Sequence, residues 1–290
     1  MTSETVQLRM RKERNKEILL KCSEILLLII TLIVALLPII WGLATSFKPN
    51  REIFAYPPSL VGSFISLEHY ENIFKSGFST GVRNSSFYCI ATILIVLLTS
   101  IPAAYGFQRC RWKMKKMSFY LVIAGIPLSA GSSVLLIPNY IMMSQLNALD
   151  RWYTLILIYT AYQLPMSIWI IRSGVESVPV EIDEAALIDG CSHFYIIFRL
   201  IPRLILPSIA SAALFTFIGS WNEFIVGSVM LNTPSLRTIQ QVIYYFMGFF
   251  GTDWGALCAS ACMAILPILI VFTALGRMMI SGLTQGAVKG

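Results

Sequence analysis

Trp221-Asn222-Glu223 is the group of residues best suited to recognising a small molecule. An indole offers an apolar face and one N–H, an amide donates and accepts, and a carboxylate accepts. Such a set fits a sugar, which has apolar C–H faces and many hydroxyls. The group lies in the apolar run 204–231, where Glu223 is the charged interruption. Trp221 falls about 21 Å along a helix from Pro207, at about 1.5 Å per residue. At that depth in a bilayer core of roughly 30 Å, a lipid-exposed carboxylate costs about 2.5–3.5 kcal/mol. Glu223 therefore faces a bundle interior or wet cavity. A substrate path and a buried Glu paired with a neighbouring helix or partner subunit both satisfy that condition.

Other chemistry is missing from the sequence. No G-x-x-x-x-G-K-[ST] loop is present to cradle ATP phosphates, and neither G-x-S-x-G nor H-E-x-x-H occurs. His69 and His193 are the only histidines, and the six cysteines form no C-x-x-C pair, so metal-ligand spacing is absent. These patterns predict no catalytic residues, no metal and no cofactor in this chain.

The elements that position the group must cross a membrane. Residues are 56% hydrophobic and 13% charged, with mean hydropathy +0.72, whereas soluble domains carry about 25% charged residues. The net charge of +7 is read as basic flanks of membrane spans, with no aromatic-basic interleaving to suggest nucleic acid. The expected layout is a basic N-tail over 1–24, a first transmembrane helix over 25–47, and an extracytoplasmic loop over 48–83. Five helices follow over 84–277, and a C-tail over 278–290. The fold class is thus all-α, with six transmembrane helices. The third is placed at 118–141, divided by Pro127 and Pro138. Of the 22 Lys and Arg, only Lys48, Arg51, Lys75, Arg83, Arg151 and Arg237 fall outside if both termini are cytoplasmic. That bias sets the expected orientation.

Pro179–Pro207 is the long polar interruption of the second half. Pro179 suits a first helical turn, and Glu181, Asp183 and Glu184 place negative charge at the helix N-terminus. Gly190 is placed to end this helix in positive φ, and Ser192 to cap a second over 193–200. The reading is helix, sharp turn, helix. Between Asn232 and Asp253, Gly248-Phe249-Phe250-Gly251 reads as a flexible tip carrying apolar anchors for a partner, or as aromatics at the lipid interface.

Glu184-Ala185-Ala186, Asp189-Gly190, Phe198 and Pro207 together resemble the EAA loop of bacterial ABC importer permeases. Pro38, Trp41, Ser46-Phe47-Lys48, Trp221-Asn222-Glu223-Phe224 and the tail 282–290 are similar to its carbohydrate, maltose-permease-like branch. The chain departs from that pattern at Leu187, Cys191, Pro202 and Gly276. The resemblance implies a permease subunit in the bacterial cytoplasmic membrane that carries a carbohydrate, in particular an oligosaccharide. It implies that the EAA loop, 172–207, docks a cytoplasmic ATPase dimer through Glu184, Ala185, Ala186, Asp189, Gly190 and Phe198. That dimer would bind ATP and Mg. The other implied partners are a second homologous permease and an extracytoplasmic solute-binding protein on the 248–251 tip, with the bilayer around the spans. Alternatives are an ABC permease for a glycerol-phosphate or polyol derivative, and an ion-coupled secondary transporter.

Overall fold

The computed structural model describes residues 3–60, 62–130, 134–248 and 251–287, without the side chains of 3–16, 18, 19, 128–130, 251 and 280–287. The chain runs α1 (Ser3–Ser46), α2 (Asn50–Ile53), α3 (Glu68–Lys75), α4 (Phe78–Arg109), α5 (Lys115–Ile123), α6 (Gly125–Ala130) and α7 (Leu136–Gln145). Then come α8 (Trp152–Glu176), α9 (Val180–Ile188), α10 (His193–Tyr195), a π-helical turn (Ile196–Leu200), α11 (Ile201–Leu204) and α12 (Leu206–Trp221). After α13 (Ile225–Met230), a 3-10 turn (Pro234–Leu236) leads to α14 (Ile239–Tyr245). A short hairpin of β1 (Met247–Gly248) and β2 (Gly251–Thr252) precedes α15 (Trp254–Ala287).

Among the described residues, four segments are long and apolar enough to cross a membrane: Leu20–Ser46, Phe78–Arg109, Trp152–Glu176 and Trp254–Met279. A fifth is formed if His193–Leu204 and Leu206–Trp221, bent by 85°, count as one span. The bend follows from Pro202 and Pro207, which bring no N–H to the helix ladder. The stretch expected as the third span is divided into α5, α6 and α7. The basic N-terminal flank and the first span form one helix, α1.

Two compact units divide the chain. One comprises Met1–Tyr70 with Trp254–Cys262. In it, Lys48 is buried, donates to the Ser59 carbonyl and lies over the Trp41 ring at 5.0 Å. Phe47 packs on Tyr70, whose hydroxyl meets Ser46 Oγ at 2.9 Å. The Ser46-Phe47-Lys48 stretch is thus a knot that ends the first span with its cation paired.

The other unit comprises Glu71–Asp253 with Met263–Gly290. Helices α4, α8 and α12 pack pairwise at its centre. One apolar cluster joins Tyr88, Ile156, Tyr159 and Tyr162 to Val226 and Met230 of α13. A second joins Ala104 of α4, Ile171 and Val175 of α8, Ala186 of α9, Ile196 and Ala212. The first supports the 232–253 segment, and the second supports the 179–207 element.

Candidate functional site

The 179–207 element has the helix, turn and helix that its sequence predicts. Helix α9 ends in a Schellman pair: Cys191 N donates to Ala186 O at 2.9 Å and Gly190 N to Leu187 O at 3.0 Å. Gly190 takes φ +83°, as a C′ residue in this motif requires. A Cβ at Gly190 would meet nothing within 4 Å, so its reason is backbone conformation, not crowding. Ser192 caps α10, its Oγ accepting from Tyr195 N at 3.2 Å. Two details differ from expectation. Pro179 is the extended N-cap (φ −57°, ψ 142°), so the helix starts at Val180. The second helix does not stay α-helical to Leu200. Ile201 N donates five residues back to Ile196 O, a π register that accommodates Pro202.

Glu184, Ala185 and Asp189 are exposed, Ala186 is buried in the cluster beneath, and Phe198 is half-buried against Phe194. Alongside them Ile188 is 87% exposed and Phe194 72%, with Ile182 and Leu187 also exposed. An apolar edge on a rigidly capped helix–turn–helix is unusual for a solvated surface and suits a partner.

Trp221, Asn222 and Glu223 lie where α12 stops, and the structure points them apart. Trp221 is 1% exposed, stacked on Phe217, and its Nε1 donates to Ala264 O of α15 at 3.2 Å. Asn222 is exposed, with Nδ2 turned back to Ile218 O at 3.1 Å. Glu223 is half-buried. Its Oε1 accepts from Val226 N at 2.8 Å, and its Oε2 accepts from Gly227 N and the Tyr159 hydroxyl, each at 3.1 Å. The carboxylate therefore stitches the first turn of α13 to α8.

The 232–253 segment is mostly packed structure. Ile239 and Val242 of α14 are buried against α4, where Gly81 allows the approach: a Cβ there would lie 3.1 Å from Ile239 Cα. Asn84 Nδ2 donates to Ser235 O and Arg237 O, and Tyr88 donates to Leu236 O. A capping box of Thr238 and Gln241 starts α14. Gly248 and Gly251 pair across the hairpin; Phe249 and Phe250 lie outside the described residues.

Sequence reasoning missed the fastening of this segment by Asp150. Its Oδ1 accepts from Asn232 N and Thr233 N, both at 2.9 Å, and its Oδ2 accepts from Thr233 Oγ1 at 2.5 Å. These bonds, led by the Thr233 hydroxyl, hold the carboxyl below its ordinary pKa. The positive φ of Asp150, 57°, was the kind of local cue that no spacing in the sequence supplies.

Comparison with known proteins shows what the whole chain is similar to. Residues 21–284 match the model of a family described as the inner membrane component of binding-protein-dependent transport systems. The probable ABC transporter permease protein YurM of Bacillus subtilis is 31% identical, over 96% of this chain and 92% of its own. The sulfoquinovosyl glycerol transport system permease protein SmoH of Agrobacterium fabrum is 31% identical, covering 90% and 91%. The diacetylchitobiose uptake system permease protein DasC of Streptomyces coelicolor is 31% identical, covering 87% and 91%. A chain of a bacterial ABC transporter that imports the acidic polysaccharide alginate superposes with TM-score 0.78 at 21% identity, covering 90% of this chain and 97% of that one.

Proposed function

The chain belongs to the family of binding-protein-dependent transport system inner membrane components, and on that premise we propose that it is the permease subunit of an ATP-driven importer for a carbohydrate, in particular an oligosaccharide. It is a transport subunit of the inner membrane, not an enzyme. The cargo reading is supported by relatives that handle sulfoquinovosyl glycerol and diacetylchitobiose, and by the neutral polar Asn222 exposed where α12 breaks.

The partners are an ATPase dimer that binds ATP and Mg on the cytoplasmic side, a second homologous permease, and a solute-binding protein outside. Both termini and the 179–207 element face the cytoplasm. The loaded binding protein docks on the 248–251 hairpin. Closure of the ATPase dimer draws the α9 elements of the two permeases together, and the spans open outward to accept the sugar. Hydrolysis resets them. Asn222 and Glu223 line the path, with Trp221 as the packed wall behind them.

The observation that carries the ATPase reading is the exposed apolar edge, Ile182, Leu187, Ile188 and Phe194, beside Glu184 on the capped helix–turn–helix. The test is capture of the ATPase subunit with Glu184→Lys and Gly190→Pro. Proline can neither donate the Gly190 N–H bond nor adopt positive φ. Both variants should insert in the membrane yet lose the ATPase or its stimulation by the loaded binding protein. Wild-type capture and stimulation in both would reject the docking assignment.

A further inference from the structure

Three elements meet at one guanidinium. Arg109 is the last residue of α4, and its Nε donates to Asp183 Oδ2 at 2.7 Å. Its Nη2 donates to the backbone carbonyl of Val178, also at 2.7 Å. Val178 lies in the link between α8 and α9, and Asp183 lies in the first turn of α9, one residue before Glu184. Both side chains are withdrawn from solvent, 10% and 6% exposed. A second tie runs beside the first. Arg172 of α8 donates through Nε to Gln108 Oε1 at 3.2 Å, and its guanidinium covers the Phe119 ring of α5 at 3.9 Å.

Helix α9 has its own terminal devices and an apolar underside in Ala186, so the ion pair is not what makes it a helix. A buried pair is also a poor source of stability compared with apolar side chains of similar volume. What it adds is direction. A guanidinium is planar, with donors in a fixed fork, and here it holds a carboxylate and a carbonyl on two elements at a set angle. A lysine ammonium at the same place would supply the charge without that fork.

We propose that Arg109 and Asp183 form a rigid joint that makes α9 move as one body with the end of α4 and the exit of α8. Displacement of α9 then reaches the spans instead of being absorbed in the short link 177–179. The proposal rests on α9 being the ATPase docking element. Arg109 and Asp183 are positioning residues: they act through α9 and touch neither the ATPase nor the sugar.

The assembled transporter tests this with Arg109→Lys and Asp183→Asn, and with Glu184→Lys as the docking control. Each is measured for captured ATPase, basal hydrolysis, hydrolysis stimulated by the loaded binding protein, and uptake. Arg109→Lys and Asp183→Asn are expected to keep the ATPase and basal hydrolysis. Stimulation and uptake should fall about tenfold, within the range typical of coupling between two sites. Wild-type stimulation in both overturns the joint. Parallel loss of the ATPase with Glu184→Lys also overturns it, because the pair then only shapes the docking face. Wild-type capture and stimulation in Glu184→Lys, together with the same result in Gly190→Pro, rejects the docking reading, and the joint with it. If a single variant does not accumulate in the membrane at all, the double variant Arg109→Met with Asp183→Leu removes the pair without leaving a lone charge. Assembly restored without stimulation supports the joint. Assembly restored with full stimulation overturns it.

Discussion

Burial separates the roles of Trp221 and Asn222. Truncating a buried Trp leaves a cavity, at about 3–5 kcal/mol, and Trp221 also gives up a bond to Ala264. Trp221→Ala should therefore lower the yield of assembled complex before any effect on transport is measured. Asn222 is exposed and forgoes only a turn-closing bond to Ile218. Asn222→Ala should assemble normally and import sugar more slowly; uptake equal to wild type would take Asn222 out of the path. The sequence carried the residue types of this group. It did not carry their directions, because the helix stops at Trp221 and its spacing no longer fixes a face for the next two residues. For Glu223 the sequence leaves open a substrate path or a pairing with a neighbouring helix or partner subunit. Its bonds to Tyr159 and to the α13 amides give it a structural task.

The elements most readable from sequence are those with local causes. A negatively charged first turn, a Gly at C′, a Ser cap and two prolines are enough to write α9, the turn and α10 in advance. The partners of Asp183 and Asp150 were not readable, since each is fastened to a segment more than seventy positions away. The same holds for α14, which sequence presents as an outer loop and which packs on α4 across Gly81. Asp150 yields a prediction at this scale. Its carboxyl is held below the ordinary value by the Thr233 hydroxyl and the Thr233 and Asn232 amides. A depressed carboxyl contributes stability above its unfolded pKa, about 3.9, and loses it as pH falls through the lower folded value. Protection of the Asn232 and Thr233 amides, relative to their intrinsic exchange at each pH, should therefore hold from neutral pH down to about 4 and fall only below it. Asp150→Asn should exchange faster at neutral pH and show no such acid step. An acid step of the same size in the variant would assign the fastening to another group.

At the scale of the whole molecule, the charge asymmetry makes the orientation testable without knowing the cargo. If Lys and Arg hold the cytoplasmic side, then Arg109, Arg111 and Lys113 frame a loop that cannot cross the bilayer. Cys110 is exposed in that loop and Cys22 is exposed beside the basic N-terminal flank, so the same charge rule assigns both to the cytoplasmic side. Ser235, exposed in the 3-10 turn before α14, belongs to the other. In a Cys258→Ala, Cys262→Ala background, a membrane-impermeant maleimide should leave intact cells unlabelled and react with Cys110 once the cytoplasmic face is opened. Ser235→Cys should add a site that reacts in intact cells. The outcome bears on the mechanism as well as the topology. Arg109 joins the Cys110 loop to α9 through Asp183, so the side that exposes Cys110 is the side on which α9 is available to an ATPase. Labelling of Cys110 from outside would place α9 away from ATP and remove the docking reading at a stroke.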